Sequence, residues 1–336
     1  MLANAAEYIN KIVTLGTPHR GITFQVLKDW IRIDAEEELE HFNPKRQADT
    51  NNPAAYVNFS ERFPPNRVLT VVGTNYRTYG TTVASWMNRL FSAAEEFGPN
   101  YNRSDGLVKQ VSAQLPGAPR TFVHKCHGGP DSLVTSREAF EIATRFFFGN
   151  IRVRLHLERA KILRGRDLIG RSEFFFGVSV KPRGVDFDLF HQSPEAENCY
   201  GPFHEEDLSD TPVAFDWAGP DRLIWEGWLD TTARVARADA SSTDPPDIVM
   251  RLGFYVGERD LLGIGFSDNV IFRKQYYARA VLSPELTLEL HTGEEFAQGG
   301  VGKPMRPVNN EWAFDVGGTG FEATLRASFE LVPEVG

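Results

Sequence analysis

The hydrophobic pattern of this 336-residue chain changes period near residue 150. Before that point, apolar positions come in short continuous runs or at helical spacing. Lys11-Ile12-Val13-Thr14-Leu15, Arg67-Val68-Leu69-Thr70-Val71-Val72-Gly73 and Thr121-Phe122-Val123-His124-Lys125-Cys126 are such runs, the mark of parallel strands buried on both faces. Helical spacing is found at 22–33 and again at 82–96, where Val83, Trp86, Met87, Leu90, Phe91 and Ala94 share a face. Residues 34–66 are acidic and then rich in Asn and Pro, which suits a surface excursion or cap. A closing helix is expected from near Thr135, with Glu138 at capping-box spacing. It would carry Phe140, Ala143 and Phe147 on its packed face and end at Gly149.

From Ile151 the period is two. Ile151, Val153, Leu155 and Leu157 alternate with Arg152, Arg154, His156 and Glu158, so one face is buried and the other wet. The same alternation recurs at Phe174–Val180, Leu286–Leu290 and Phe321–Leu331, with further strands expected at 222–229, 248–256 and 311–316. Gly and Pro turns separate them, the pattern of an antiparallel sandwich. The fold class expected is therefore α/β, a parallel sheet with helices over residues 1–149, followed by an all-β antiparallel sandwich over 150–336.

Composition narrows the class without deciding it. Apolar residues are 41%, charged residues 24% and aromatics 12%, as in an ordinary soluble protein. The net charge of -9 argues against a nucleic-acid partner, which selects a basic surface. Two cysteines, Cys126 and Cys199, give no disulfide framework. No apolar run reaches the length of a transmembrane segment. Met1–Ile9 lacks the basic and apolar regions of a signal peptide, so the default compartment is the cytoplasm. These residues match instead the last turns of an amphipathic helix, with Leu2, Ala5, Ala6 and Ile9 on one face. A helix starting uncapped at the first residue leads to the expectation that the chain is part of a longer protein. None of these features sets an oligomeric state.

Three motifs carry candidate chemistry. Ile12-Val13-Thr14-Leu15-Gly16-Thr17-Pro18-His19-Arg20-Gly21 resembles the strand and turn that follow the nucleophile helix in lipases and GPI inositol-deacylase-like members of the α/β-hydrolase superfamily. Ser104-Asp105-Gly106-Leu107-Val108 resembles their acid loop, and His127-Gly128-Gly129 with the segment to Gly149 resembles their histidine loop and closing helix. The resemblance covers residues 1 to about 149, with the motifs in the family's order. It implies a serine-type carboxylic-ester hydrolase acting on an ester or lipid substrate, without a cofactor. Asp105 would orient His127, and His127 would be the general base. The competing readings are a turn aspartate bonded to its own loop and a structural loop histidine. His19 and Arg20 would either line the substrate rim or shape the turn. His124, in mid-strand, reads as a core histidine. His124, Cys126 and His127 lack the fourth ligand of a zinc site, so no metal is expected.

The nucleophile is missing. A G-x-S-x-G elbow occurs nowhere in the 336 residues, and Gly265-Phe266-Ser267-Asp268-Asn269 lacks its second glycine. In the family the elbow opens the helix ahead of the Thr-Leu-Gly-Thr-Pro strand, a helix of roughly 10–14 residues, so the serine is expected upstream of Met1. In the sandwich, Leu163–Phe174 resembles the opening of calcium- and phospholipid-binding β-sandwich modules. However, Glu173 stands where those carry aspartate, and no second paired-aspartate loop supplies the six to eight oxygens calcium takes. A structural or substrate-positioning domain is expected, the alternative being a non-catalytic protein that binds lipid, glycan or protein through the sandwich. Without elbow or oxyanion loop, purified 1–336 is expected to show no turnover of short p-nitrophenyl esters above a denatured control. Turnover sensitive to serine reagents would contradict this.

Overall fold

The computed structural model describes residues 5–19, 60, 63–75, 104–110, 112–163, 172–183, 185–192, 199–203, 222–230, 247–260, 269–281, 285–293 and 302–332. The helices expected at 22–33 and 82–96, most of the excursion at 34–66 and most of the 163–174 segment lie outside them. The chain divides into two compact units, Met1–Ala143 and Thr144–Glu334. This division falls earlier than the change of period at Ile151. The described residues are mostly β: a three-stranded parallel sheet and two antiparallel sheets, with few helices.

In the first unit the parallel sheet runs β1 (Ile12–Leu15), β2 (Val68–Gly73) and β3 (Arg120–Val123), in that spatial order. β2 is central and buried throughout, which explains its unbroken apolar run. Its one polar side chain, Thr70, donates to the Pro119 carbonyl at 3.0 Å. β1 is only half-buried, against the expectation of burial on both faces. β3 ends at Val123 rather than Cys126, because Lys125 turns back to donate to the Val123 carbonyl at 2.7 Å. Ahead of β1, the short helix α1 (Ala5–Tyr8) leaves Tyr8 and Ile9 exposed. Ala6 and Ile12, not Ile9, pack on Phe63, Val68, Leu115 and Ala118. The Arg67 guanidinium donates to the Ala6, Ile9 and Asn10 carbonyls, satisfying groups that a helix end leaves open.

Helix α2 (Arg137–Phe148) begins later than expected. Ser136 is its cap, accepting the Ala139 amide at 2.9 Å, the usual N-cap geometry. Thr135 instead donates to the Pro130 carbonyl at 2.9 Å. The packed face is also different: Ala139, Ile142 and Phe146 are buried, whereas Phe140, Phe147 and Phe148 are exposed. Gly149 follows the helix because of space. A Cβ there would lie 2.4 Å from the Arg145 carbonyl and 2.9 Å from Trp228.

The second unit holds the two antiparallel sheets. One has the order β12 (Lys303–Pro304), β11 (Thr287–His291), β10 (Asn269–Val281), β9 (Ile248–Asp260), β5 (Ser172–Pro182) and β6 (Phe190–His191). β7 (Tyr200–Phe203) also pairs with β5. The other has β13 (Arg306–Val308), β14 (Glu311–Gly318), β15 (Phe321–Leu331), β4 (Ile151–Ile162) and β8 (Leu223–Leu229). They face each other through aromatic contacts: Phe321 lies 5.7 Å from Phe176 and 5.2 Å from Phe272, centroid to centroid. The Tyr276 hydroxyl reaches across to the Gly317 backbone at 2.9 Å and 3.1 Å. In β4 the predicted alternation holds to Leu157 and then changes phase, with Ala160 and Ile162 inward. The cause is a bulge: Leu157 pairs with Leu325 and Arg159 with Thr324, leaving Glu158 as the extra residue.

β10 was not anticipated from sequence, because Arg273, Lys274 and Arg279 interrupt its apolar period. Arg279 is nevertheless buried, held by buried Asp247 at 2.6 Å. A buried charge left without its partner is costly. Asp247→Ala should therefore destabilise the protein by about 3–5 kcal/mol in urea unfolding. Glu330→Ala, which removes an exposed partner of Arg154, should cost less than about 1 kcal/mol. Equal costs would contradict this account of the Arg279–Asp247 pair.

Candidate active site

The turns that leave the carboxyl ends of β1 and β2 are tied across to the next strand or its turn by backbone bonds. Gly16 donates to the Val71 carbonyl at 2.8 Å, Thr74 to Val123 at 3.0 Å and Asn75 to Lys125 at 3.2 Å. Carboxyl ends of parallel strands are where such sheets collect functional groups. Between β2 and β3 the chain forms a tight loop at Ser104–Lys109, closed by a bridge between those two residues. Gly106, with φ +97, takes the turn that a side chain would disfavour.

Asp105 sits in this loop, 1% exposed. Its Oδ1 accepts the Leu107 amide at 3.1 Å and the Val108 amide at 2.7 Å. Its Oδ2 faces His127 Nδ1 at 3.0 Å. The backbones are joined as well, the His127 amide donating to the Asp105 carbonyl at 2.8 Å. Thus the loop-bonded aspartate and the histidine-orienting aspartate are the same arrangement: one oxygen serves each.

His127 is reachable, its side chain being 30% exposed. With Nδ1 on the carboxylate, Nε2 has no hydrogen-bond partner among the described residues. The Asp105 hydrogen bond, opposed by partial burial and aided by the carboxylate charge, raises the imidazole pKa above its ordinary 6.5. The loop beneath holds itself. Cys126 pairs with Ser132, its thiol donates to the Asp131 carbonyl at 2.8 Å, and the Leu133 amide returns to the Cys126 carbonyl at 2.9 Å. Lys125 and Asp131 close the outer side at 2.6 Å.

The other sequence candidates lie differently. His19 is buried, with Nε2 against the Thr14 hydroxyl at 3.0 Å; burial lowers its pKa to about 4. It is a buried, neutral ring bonded to β1. Arg20 lies outside the described residues. His124 is exposed, its Nδ1 against the Thr74 hydroxyl at 3.1 Å, which corrects its reading as a core histidine. Cys126 and Cys199 are free and buried. Among the described residues no three His, Cys, Asp or Glu side chains come together as a metal site. Sequence reading missed Gly73, where a Cβ would lie 2.5 Å from Asp105 Cβ, and Leu133, whose Cδ1 lies 3.1 Å from the same point; neither residue type signals chemistry by itself.

No family model and no curated protein matches this chain. A human GIVD cytosolic phospholipase A2, in complex with methyl γ-linolenyl fluorophosphonate and terbium chloride, superposes with TM-score 0.25 and 11% identity over 55% of this chain and 18% of that one. The human enzyme with the fluorophosphonate, in a second structure, gives 0.19 and 11% over 56% and 33%. A C2 domain of plant extended synaptotagmin 1 gives 0.25 and 12% over 55% and 97%. The chain thus spans under a fifth of the first phospholipase chain it matches. Similarities at these scores carry no argument about fold or function. No helix among the described residues is long and apolar enough to cross a membrane.

The two histidines should act on stability with opposite sign. His127, with its pKa raised in the folded state, adds stability that is complete below about pH 6.5 and lost as pH rises through the folded value. His19, held to about 4, adds stability that is complete above about pH 6.5 and lost as pH falls towards 4. Urea midpoints recorded from pH 4 to 9 should therefore lose acid-side slope in His19→Asn and alkaline-side slope in His127→Gln. Unchanged slopes in both variants would contradict these assignments.

Proposed function

We propose that Asp105 and His127 are the acid and base of a serine-type carboxylic-ester hydrolase of the α/β-hydrolase kind, with residues 1–149 as the later part of its catalytic domain and 150–336 as an accessory sandwich. The observation that carries this reading is the 3.0 Å contact between a fully buried carboxylate and a reachable imidazole beside the parallel sheet. The carboxylate holds the proton on Nδ1, leaving Nε2 to accept one. In the reaction a serine hydroxyl from outside these 336 residues attacks the ester carbonyl and its proton passes to Nε2. The imidazolium, stabilised by Asp105, then returns that proton to the leaving alcohol. Water then attacks the acyl carbonyl while giving a proton to Nε2, which passes it to the departing serine oxygen as the carboxylic acid is released. The raised pKa makes the base form grow with pH, so acylation should rise through that value. The sandwich would position an ester or lipid substrate.

The test begins with whatever coding sequence precedes Met1 in frame. A G-x-S-x-G segment there, expressed with this chain, should give ester hydrolysis that His127→Ala reduces to near background. Asp105→Asn should lower kcat by ~10⁴ through the wrong tautomer. Asp131→Asn, which touches only the exposed Lys125 and Asn75 side of the loop, should leave kcat within about twofold. No upstream elbow would favour a non-catalytic protein that binds through its sandwich, and hydrolysis indifferent to His127 would contradict the role given to that residue.

A further inference from the structure

The three motifs are far apart in sequence, yet one contact joins them. The turn after β1 brings Gly16 so close to the Asp105–His127 pair that its missing side chain is a condition of the pair's geometry. A Cβ on Gly16 would lie 2.8 Å from Asp105 Oδ2, 3.0 Å from Leu133 Cδ1 and 3.2 Å from His127 Nδ1. It would press on both atoms of the hydrogen bond at once. We propose that Gly16 is a positioning residue for this pair: the bare backbone of the turn closes on the bond and keeps carboxylate and imidazole in register.

Three further observations support the assignment. The turn cannot easily retreat, because the Gly16 amide is bonded to Val71 of the central strand at 2.8 Å. Leu133, fully buried, has its Cδ1 close to the same Cβ position. Gly73, at the end of β2, completes the enclosure: a Cβ there would lie 2.5 Å from Asp105 Cβ, 2.8 Å from the Lys125 carbonyl and 3.1 Å from Leu133 Cδ1. Gly16 thus faces the carboxylate and Gly73 the Cβ of Asp105, with Leu133 Cδ1 close to both positions. A buried carboxylate that shifts by a few tenths of an ångström lengthens its bond to His127, and such bonds weaken steeply with geometry. The glycine of the Thr-Leu-Gly-Thr-Pro string, the aspartate of Ser-Asp-Gly and the histidine of His-Gly-Gly are one packed unit.

The consequence for catalysis rests on the hydrolase reading, but the geometry can be tested without any ester. Gly16 also has φ +57, so alanine there meets both backbone strain and crowding. Gly129 separates the two: its φ is +85 and nothing lies within 4 Å of a Cβ. Gly73 gives crowding without positive φ. The experiment follows the His127 ring resonances of the full chain through a pH titration, with His127→Gln for assignment and Tm recorded in parallel. In Gly16→Ala and Gly73→Ala, His127 should titrate closer to the ordinary 6.5 than in the parent, its link to Asp105 being weakened. In Gly129→Ala, Tm should fall while the titration stays that of the parent. A parental titration in Gly16→Ala, or an equal shift in Gly129→Ala, overturns the proposal. Should Gly16→Ala not fold alone, it is combined with Asp105→Ala, which removes the crowded carboxylate. Recovery of folded protein then supports the proposal, and a fold lost in the double variant but kept in Asp105→Ala overturns it. Since no ester is present, these outcomes stay distinct from success or failure of the hydrolase reading.

Discussion

A carboxylate removed from water must find its hydrogen bonds inside the protein or lose its charge. Asp105 meets this condition with two amides of its own loop on one oxygen and the His127 ring on the other. The surrounding structure follows from that requirement. The Ser104–Lys109 loop is closed so that its amides converge on Oδ1. The histidine loop is bonded across its base so that His127 returns to the same point. At the turn after β1 the carboxylate, and at the end of β2 the Asp105 Cβ and the Lys125 carbonyl, lie where a side chain on Gly16 or Gly73 would begin. The parallel sheet supplies the shared edge from which all these loops leave.

Burial also divides the labour between two histidines near the same sheet. His19 is enclosed beside the Thr14 hydroxyl, and burial keeps it neutral. His127 is half open and has an anion beside it, so its charged form is favoured. A ring that must take up and release a proton needs the second environment. The first suits a ring that shapes a turn.

Much of this was legible in the chain. The change of period at Ile151, the central strand at Val68–Gly73 and the strands around Leu223, Ile248, Glu311 and Phe321 follow from apolar spacing alone. Asp105 and His127 could be paired in advance through the resemblance of their loops to known motifs and the order in which these come. What escaped sequence reading has identifiable physical causes. Phenylalanines at 140, 146, 147 and 148 put aromatics on two faces of α2, so spacing could not choose between them and tertiary packing did. Ser136 and Thr135 are both good caps, and only the course of the loop selects the first. The buried charge of β10, Arg279, is compensated by Asp247, far from it in sequence. Gly16 looked like punctuation; its contact partners lie some ninety and more residues away.

The central claim is that Asp105 fixes the proton of neutral His127 on Nδ1 and leaves Nε2 as the base. Free imidazole side chains are under no such constraint, and the tautomer is set by what the other nitrogen is bonded to. A multiple-bond nitrogen–proton correlation spectrum of the His127 ring, taken above its titration, reads the tautomer directly. The expected result is a protonated Nδ1 and a bare Nε2, reverting to a mixture in Asp105→Ala. A proton on Nε2 in the parent chain would contradict the acid–base role assigned to this pair.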